Sequence, residues 1–261
     1  MPYIQVGEIS YFTLDIFASQ NLQHGFFMRH GGVSPAPWNS LNTATSVGDT
    51  RKNIIENRER IFKAINRPVE SIFDVWQVHS NRVICTNGAR TLDVSPQKAD
   101  AIVTNRSEIT LFMRFADCVP IMLYDPFQGV VAMAHAGWKG TVNKIVNNTL
   151  EAMQDHYHTK AVDVLAGIGP SIGPDHYEVG RDVIEQVEKA FGVYSSELFV
   201  NHDGHTHFNL WKANEFILRN AGVEKIQISE ICTGCNTADW FSHRAEHGKA
   251  GRFGAILAIA N

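Results

Sequence analysis

Three apolar runs in the middle of the chain constrain the fold most. Ile109 to Phe115, Val119 to Tyr124 and Val130 to Ala134 are nearly continuous in hydrophobic residues. A strand with one wet face alternates apolar and polar side chains, whereas a continuous run marks a strand covered on both faces. Covered strands need layers above and below them. The chain is therefore expected to form one domain, residues 1–261, with a layered α and β architecture. A 44% hydrophobic fraction, with 15 Phe and 5 Trp, suffices for such a core without disulfides.

The remaining segments fit around those runs. Strand-like pieces occupy about 3–28 and end at His24-Gly25-Phe26-Phe27. Arg29 to Asn39 contains Gly-Gly and two prolines and reads as a loop. A helix is predicted from Asp49 or Thr50, with Ile54, Ile55, Ile61, Phe62 and Ile65 as its apolar stripe. Strands are expected over 73–78, 82–85 and 101–103, and a helix from Gly140 to about Asp155. A strand over 161–168 stops at the turn-rich Gly169 to Pro174. Helices at about 180–192 and 209–221, and strands at about 225–230 and 253–260, complete the pattern.

Charge narrows the function classes. The net charge is -4 and there is no run of Lys or Arg, which argues against a nucleic-acid groove or an anionic membrane as partner. No apolar stretch approaches the roughly 20 residues of a membrane-spanning helix. The first ten residues lack a basic region followed by an apolar one, so no signal peptide is expected and the expected location is cytoplasmic. Cys85, Cys118, Cys232 and Cys235 are then core residues, ligands or nucleophiles rather than a disulfide framework.

Three short segments combine reactive side chains with small neighbours: Gln77-Val78-His79-Ser80, Ala116-Asp117-Cys118-Val119-Pro120 and Ala134-His135-Ala136-Gly137-Trp138. All fall at predicted strand ends, where ligand-binding residues of layered α/β proteins gather. Alone, each is what a structural histidine or a small buried cysteine looks like. Together, His79, Cys118 and His135 form a borderline-soft donor set suited to zinc. Three protein ligands leave a fourth tetrahedral position open, as in catalytic rather than structural zinc sites. Asp117 can orient a ligand or handle a proton.

Other clusters read more plainly. His202, His205 and His207 lie in a polar stretch expected to be a solvated loop. Cys232-Thr233-Gly234-Cys235 has redox or metal-knuckle spacing, but no second Cys pair exists to complete a four-cysteine site. Trp211 is expected in the core or a pocket wall, with base stacking as the alternative.

The segments His24 to Phe27, Arg29 to Ser34, Gln77 to His79, Ala99 to Ala101, Ala116 to Pro120, His135 to Trp138, Gly169 to Gly173 and Phe241-Ser242-His243-Arg244 resemble, in order over nearly the whole chain, the laccase-domain family. This family was once called multicopper polyphenol oxidoreductases and is also known as the YfiH or YlmD group. The resemblance implies an α+β fold, a single layered domain with mixed β-sheets flanked by helices. It implies zinc at His79, Cys118 and His135, and phosphorolysis of purine nucleosides (adenosine, inosine, methylthioadenosine) with deamination of adenosine.

On that reading Asp117 is the candidate proton relay. Arg29 and Arg244 are the candidate phosphate-binding residues, since arginine offers a bidentate fork. Backbone N–H groups of Gly31-Gly32 or of the Gly169–Gly173 loop are further anion cradles. The partners are then purine nucleosides and phosphate, and the chain is a monomer or a small homo-oligomer. Two other chemistries use the same residues. One is a copper-dependent polyphenol oxidase, although the only His-x-His pairs are His156–His158 and His205–His207. The other is a metal-free cysteine hydrolase with Cys118 as nucleophile and His79 or His135 as base.

Overall fold

The structure, a computed structural model, describes residues 3–260. Its strands are β1 (Tyr3–Val6), β2 (Ile9–Phe12), β3 (Leu22–Phe27), β4 (Ile72–Asp74), β5 (Val83–Cys85), β6 (Ala101–Thr104) and β7 (Thr110–Phe115). They continue as β8 (Val119–Asp125), β9 (Val130–Ala136), β10 (Leu165–Ile168), β11 (Phe199–His202), β12 (His205–Phe208), β13 (Lys225–Ile228) and β14 (Phe253–Ile259). The helices are α1 (Arg51–Ala64), α2 (Trp138–Val142), α3 (Ile145–Tyr157), α4 (Arg181–Phe191) and α5 (Leu210–Asn220).

Two six-stranded sheets carry the fold, ordered β1-β2-β3-β14-β7-β4 and β13-β10-β8-β9-β6-β5. Both are mixed: most neighbours are antiparallel, while β4–β7, β5–β6 and β10–β13 are parallel. This is the expected α+β class.

Strand periodicity explains the continuous apolar runs. Leu111, Met113 and Phe115 of β7, Met122 and Tyr124 of β8, and Val131 and Met133 of β9 pack together between the sheets. Phe112, one residue out of phase, turns to the other side and packs with Ile61 and Phe62 of α1. Val119, Ile121 and Leu123, with Val130, Ala132 and Ala134, face α3, α4 and α5. Successive side chains point to opposite faces of a strand. Every apolar position of these runs is therefore buried, on one side or the other, while Arg114 is only half-buried. The layers run α1, first sheet, second sheet, remaining helices.

Several boundaries differ from expectation. Thr50 is the α1 cap, its hydroxyl accepting the Asn53 N–H at 3.3 Å. Ile55 is 47% exposed, because a helix rotates about 100° per residue and its neighbour Ile54 takes the inward direction. The helix expected over 140–155 is two pieces, α2 and α3, separated at Lys144, whose φ of 59° interrupts the ladder. Apolar spacing runs through the break because both pieces pack against the same core. The strand expected over 73–78 stops at Asp74, and that expected over 161–168 starts at Leu165 after a short 3-10 turn. His202, His205 and His207 belong to the β11–β12 hairpin rather than a loop.

Candidate metal centre and substrate pocket

Strand register assembles the three predicted ligands at one edge of the second sheet. Val119 stands opposite Ala136 and Pro120 opposite His135, so Cys118 emerges beside the end of β9. Ala101 of β6 pairs with Ala134 on the other side of β9, which brings Asp100 to His135. Val83 pairs with Ala101, so the turn preceding β5 delivers His79 to the same edge.

The ligand atoms of His79, Cys118 and His135 lie within 4.8 Å of one another. Cys118 Sγ is 3.7 Å from His79 Nε2, and the two imidazole rings are 4.9 Å apart. His135 is buried, Cys118 half-buried and His79 exposed, so the cluster opens outward. Gly137 makes the close approach possible: a Cβ there would stand 2.7 Å from Cys118 Sγ and 3.1 Å from His79 Cδ2.

Asp100 organises this cluster. Its carboxylate pairs with His135 Nδ1 at 2.9 Å. It also accepts the backbone N–H of His79 at 3.0 Å and of Ser80 at 2.6 Å, and the Ser80 hydroxyl at 2.7 Å. Those bonds hold His79 in a left-handed conformation, φ 58°, that a non-glycine residue adopts only when its surroundings fix it. A carboxylate only accepts, so His135 Nδ1 carries the proton and Nε2 is left free as a ligand. Asp100 is absent from the set picked by spacing; its signal was the small-residue motif Ala99-Asp100-Ala101.

The charges reinforce each other. Burial raises the Cys118 thiol, but the His135 charge and hydrogen bonds from His135 and His79 outweigh it and bring the pKa down to about 6. Burial lowers His135, yet Cys118 and Asp100 push it up to about 9. Asp100 itself falls to about 2, because its hydrogen bonds and the His135 charge overcome burial.

Above the cluster is a pocket of about 390 Å³, lined also by Trp76, Gln77, Ser46, His243, Arg114 and Arg252. Small-molecule sites fall in this size range. Arg114 is committed below the pocket: it donates to the Val75 carbonyl and faces Asp74 at 3.9 Å. Arg252 is less committed. Its Nη1 donates to the carbonyls of Ala250 and Gly251, while Nε and Nη2 have no hydrogen-bond acceptor among the described residues.

Arg29, predicted to hold phosphate, is placed elsewhere. It is buried, donates to the carbonyls of Asn39 and Thr237, pairs with Glu246 at 3.1 Å and stacks on Phe241. Its charge is met inside the protein, and it is not among the residues lining the pocket. Arg244 is exposed, lies 5.3 Å over the Tyr177 ring and donates to the Glu178 carbonyl. Asp117, next to Cys118, uses its carboxylate to accept from the Thr233 hydroxyl at 2.7 Å and the Arg244 N–H at 2.6 Å. The glycine loops are not open cradles: the N–H groups of Gly32, Gly169 and Ile172 already donate to Ser40, Pro120 and Asp117. Trp211 donates its indole N–H to Ser171 and lies outside the pocket, whereas Trp76 lines it and is 55% exposed.

Residues 23–260 match the family described as "Multi-copper polyphenol oxidoreductase laccase". The chain belongs to this family. It is 35% identical over 245 residues to the protein named purine nucleoside phosphorylase YlmD of Bacillus subtilis (strain 168), covering 90% of this chain and 87% of that one. It is 32% identical over 218 residues to the purine nucleoside phosphorylase YfiH of Escherichia coli (strain K12), with 84% and 86% covered. The crystal structure of YlmD from Geobacillus stearothermophilus matches the fold with a TM-score of 0.91 at 30% identity, over 99% of both chains.

The family's descriptive name points to metal, and the cluster's chemistry suits one ion. Two imidazoles and a thiol already shifted toward thiolate form a borderline-soft donor set for zinc or copper. The other histidine pairs do not join it. His156 and His158 end α3, and His205 is held by Glu178 at 2.7 Å. Among the described residues, no helix is long and apolar enough to cross a membrane.

Proposed function

We propose that this chain is a zinc-dependent purine nucleoside phosphorylase acting on adenosine, inosine and methylthioadenosine, with deamination of adenosine as a second reaction of the same pocket. The observation that carries this reading is the position of Arg252. A guanidinium with free donors lines a nucleoside-sized pocket whose floor is His79, Cys118 and His135. The names of the relatives support the same substrate class.

In phosphorolysis a phosphate oxygen bonds to ribose C1′ while the C1′–N9 bond breaks. The electron pair leaves on the purine, which then takes a proton. Arg252 holds the phosphate through Nε and Nη2, a fork matched to phosphate oxygens. The exposed face of Trp76 receives the purine ring. Arg244, exposed and next in sequence to the pocket residue His243, is a second candidate for the phosphate. In deamination a water oxygen bonds to C6 and the amino group departs as ammonia. Burial lowers the pKa of His243, so this pocket residue is neutral near pH 7 and able to accept a proton from water. Asp117 acts as a positioning residue, fixing Arg244 and Thr233 beside Cys118. When bound by His79, Cys118 and His135, zinc supplies Lewis-acid polarisation.

A second reading, the metal-free cysteine hydrolase, is favoured by the paired shifts of Cys118 and His135, which describe a thiolate beside an imidazolium. One experiment separates the two. Adenosine and inosine are incubated with and without phosphate, using protein before and after metal chelation. The phosphorylase reading expects free base and ribose 1-phosphate only with phosphate and only before chelation. Neither base nor inosine in any arm sinks it. Activity that survives chelation but is lost on alkylation of Cys118 favours the hydrolase.

A further inference from the structure

A second cluster of donor side chains lies behind Cys118. The loop following β10 contributes Asp175 and His176, and the turn following β13 contributes Cys232 and Cys235, with all four donor atoms within 4.8 Å of one another. His176 Nδ1 is 3.4 Å from Cys235 Sγ, 3.8 Å from Cys232 Sγ and 3.1 Å from an Asp175 oxygen. Cys235 Sγ is 2.9 Å from the same Asp175 oxygen. Tetrahedral bonds of ~2.3 Å to sulfur and ~2.0 Å to nitrogen put those two atoms about 3.5 Å apart. The two sulfur–nitrogen distances straddle that value.

The backbone fixes one sulfur in place. Cys232 is buried, and its sulfur accepts the N–H of Gly173 at 3.2 Å and of Cys235 at 3.4 Å. Gly234, inside the Cys-x-x-Cys turn, lets the His176 ring close over the cluster: a Cβ there would stand 3.0 Å from that ring. The cluster also crowds negative groups. Cys235 Sγ, the Asp175 carboxylate and Cys232 Sγ converge on one point beside His176 Nδ1.

We propose that Cys232, Cys235, His176 and Asp175 form a second, structural site for one zinc-class divalent cation. Four protein ligands close the coordination sphere, unlike the three-ligand site at His79. The sequence lacks a second cysteine pair, but the loop after β10 supplies His176 and Asp175 in its place. Bound metal pins this loop to the 232–235 turn. Thr233 in that turn donates to Asp117, which sits between the pocket residues Ala116 and Cys118, so the ion buttresses that segment. The site stands on its own ligands and does not depend on the reaction proposed above.

The test counts metal and reads thiolate ligation. Protein purified under reducing conditions without added metal is expected to hold about two zinc equivalents per chain, falling to about one in Cys118→Ala. Cys118→Ala protein loaded with cobalt(II) retains only Cys232 and Cys235 as nearby thiolates. It is expected to show thiolate-to-cobalt charge-transfer absorption, abolished by adding Cys235→Ser, and a melting temperature lowered by chelation. Asp175 and Cys235 are exposed, so Asp175→Asn provides a folded variant with weakened cobalt binding if Cys235→Ser disturbs the turn. Absence of metal and of charge-transfer absorption in Cys118→Ala, or a Cys232–Cys235 disulfide in its place, overturns the proposal.

Discussion

Asp100 and His135 are joined twice. The carboxylate accepts a hydrogen bond from the imidazole Nδ1–H at 2.9 Å, and the His135 backbone N–H donates to the Asp100 carbonyl at 2.7 Å. The ring is thereby fixed in rotation by the carboxylate and in position by the sheet. Because the same carboxylate also receives the N–H groups of His79 and Ser80, one buried acid sets two of the three candidate ligands.

Replacing Asp100 therefore acts on the metal before it acts on the fold. In Asp100→Asn, the amide N–H₂ meets donors that need an acceptor, and the His135 tautomer is no longer imposed. Zinc affinity, measured by competition with a chromogenic chelator, is expected to fall about 10- to 100-fold. An unchanged affinity would mean that the sheet alone orients His135.

Gly137→Ala isolates the packing of the ligands. Gly137 has φ -70°, ψ 176°, extended backbone that alanine adopts without strain. The added methyl meets only the site, 2.7 Å from Cys118 Sγ. Expected are loss of bound metal and of activity with a thermal unfolding curve close to that of the chelated wild type. Full metal content in this variant would show that Cys118 and His79 can separate without consequence.

His24 titrates stability. It is buried, its Nε2 accepts the Leu14 N–H at 2.9 Å, and burial pushes its pKa down to about 4. The unfolded chain binds a proton near the ordinary value of about 6.5. Stability from the neutral ring is therefore fully present above pH 6.5 and is lost as pH falls toward 4, about 3 kcal/mol over that window. Urea unfolding of wild type and His24→Gln across pH 4 to 7 checks this: the pH slope should flatten in the variant.

How much of this was readable in advance depended on the range of the interaction. The runs of β7, β8 and β9 were legible because burial on both faces leaves a local mark in composition. Residue type and small neighbours singled out His79, Cys118 and His135, which the structure brings together, but as a zinc set they rested on the family resemblance. Lys144 left no such mark: its left-handed backbone splits α2 from α3 while the apolar spacing continues across it. Asp100 looked like any acid at a strand start until pairing with β9 put it on His135. The surroundings of Arg29 were not legible because its partners Thr237 and Glu246 lie more than two hundred residues away in the chain. A charged side chain beside glycines reads the same whether it meets a ligand or a carbonyl.

The contrast between two arginines yields the sharpest pair of substitutions. Arg252 lines the pocket with Nε and Nη2 free, whereas Arg29 is buried on Glu246 and backbone carbonyls. Arg252→Ala should raise the KM for phosphate at least about tenfold, the loss of one charge-assisted contact, with the melting temperature nearly unchanged. Arg29→Ala should leave the phosphate KM of the folded protein alone but reduce stability by about 3 kcal/mol, because it strands Glu246 and the carbonyls of Asn39 and Thr237. Initial rates at varied phosphate, paired with urea unfolding of each variant, decide between the two arginines. A raised phosphate KM in Arg29→Ala with unaltered stability would return the anion to the glycine loop.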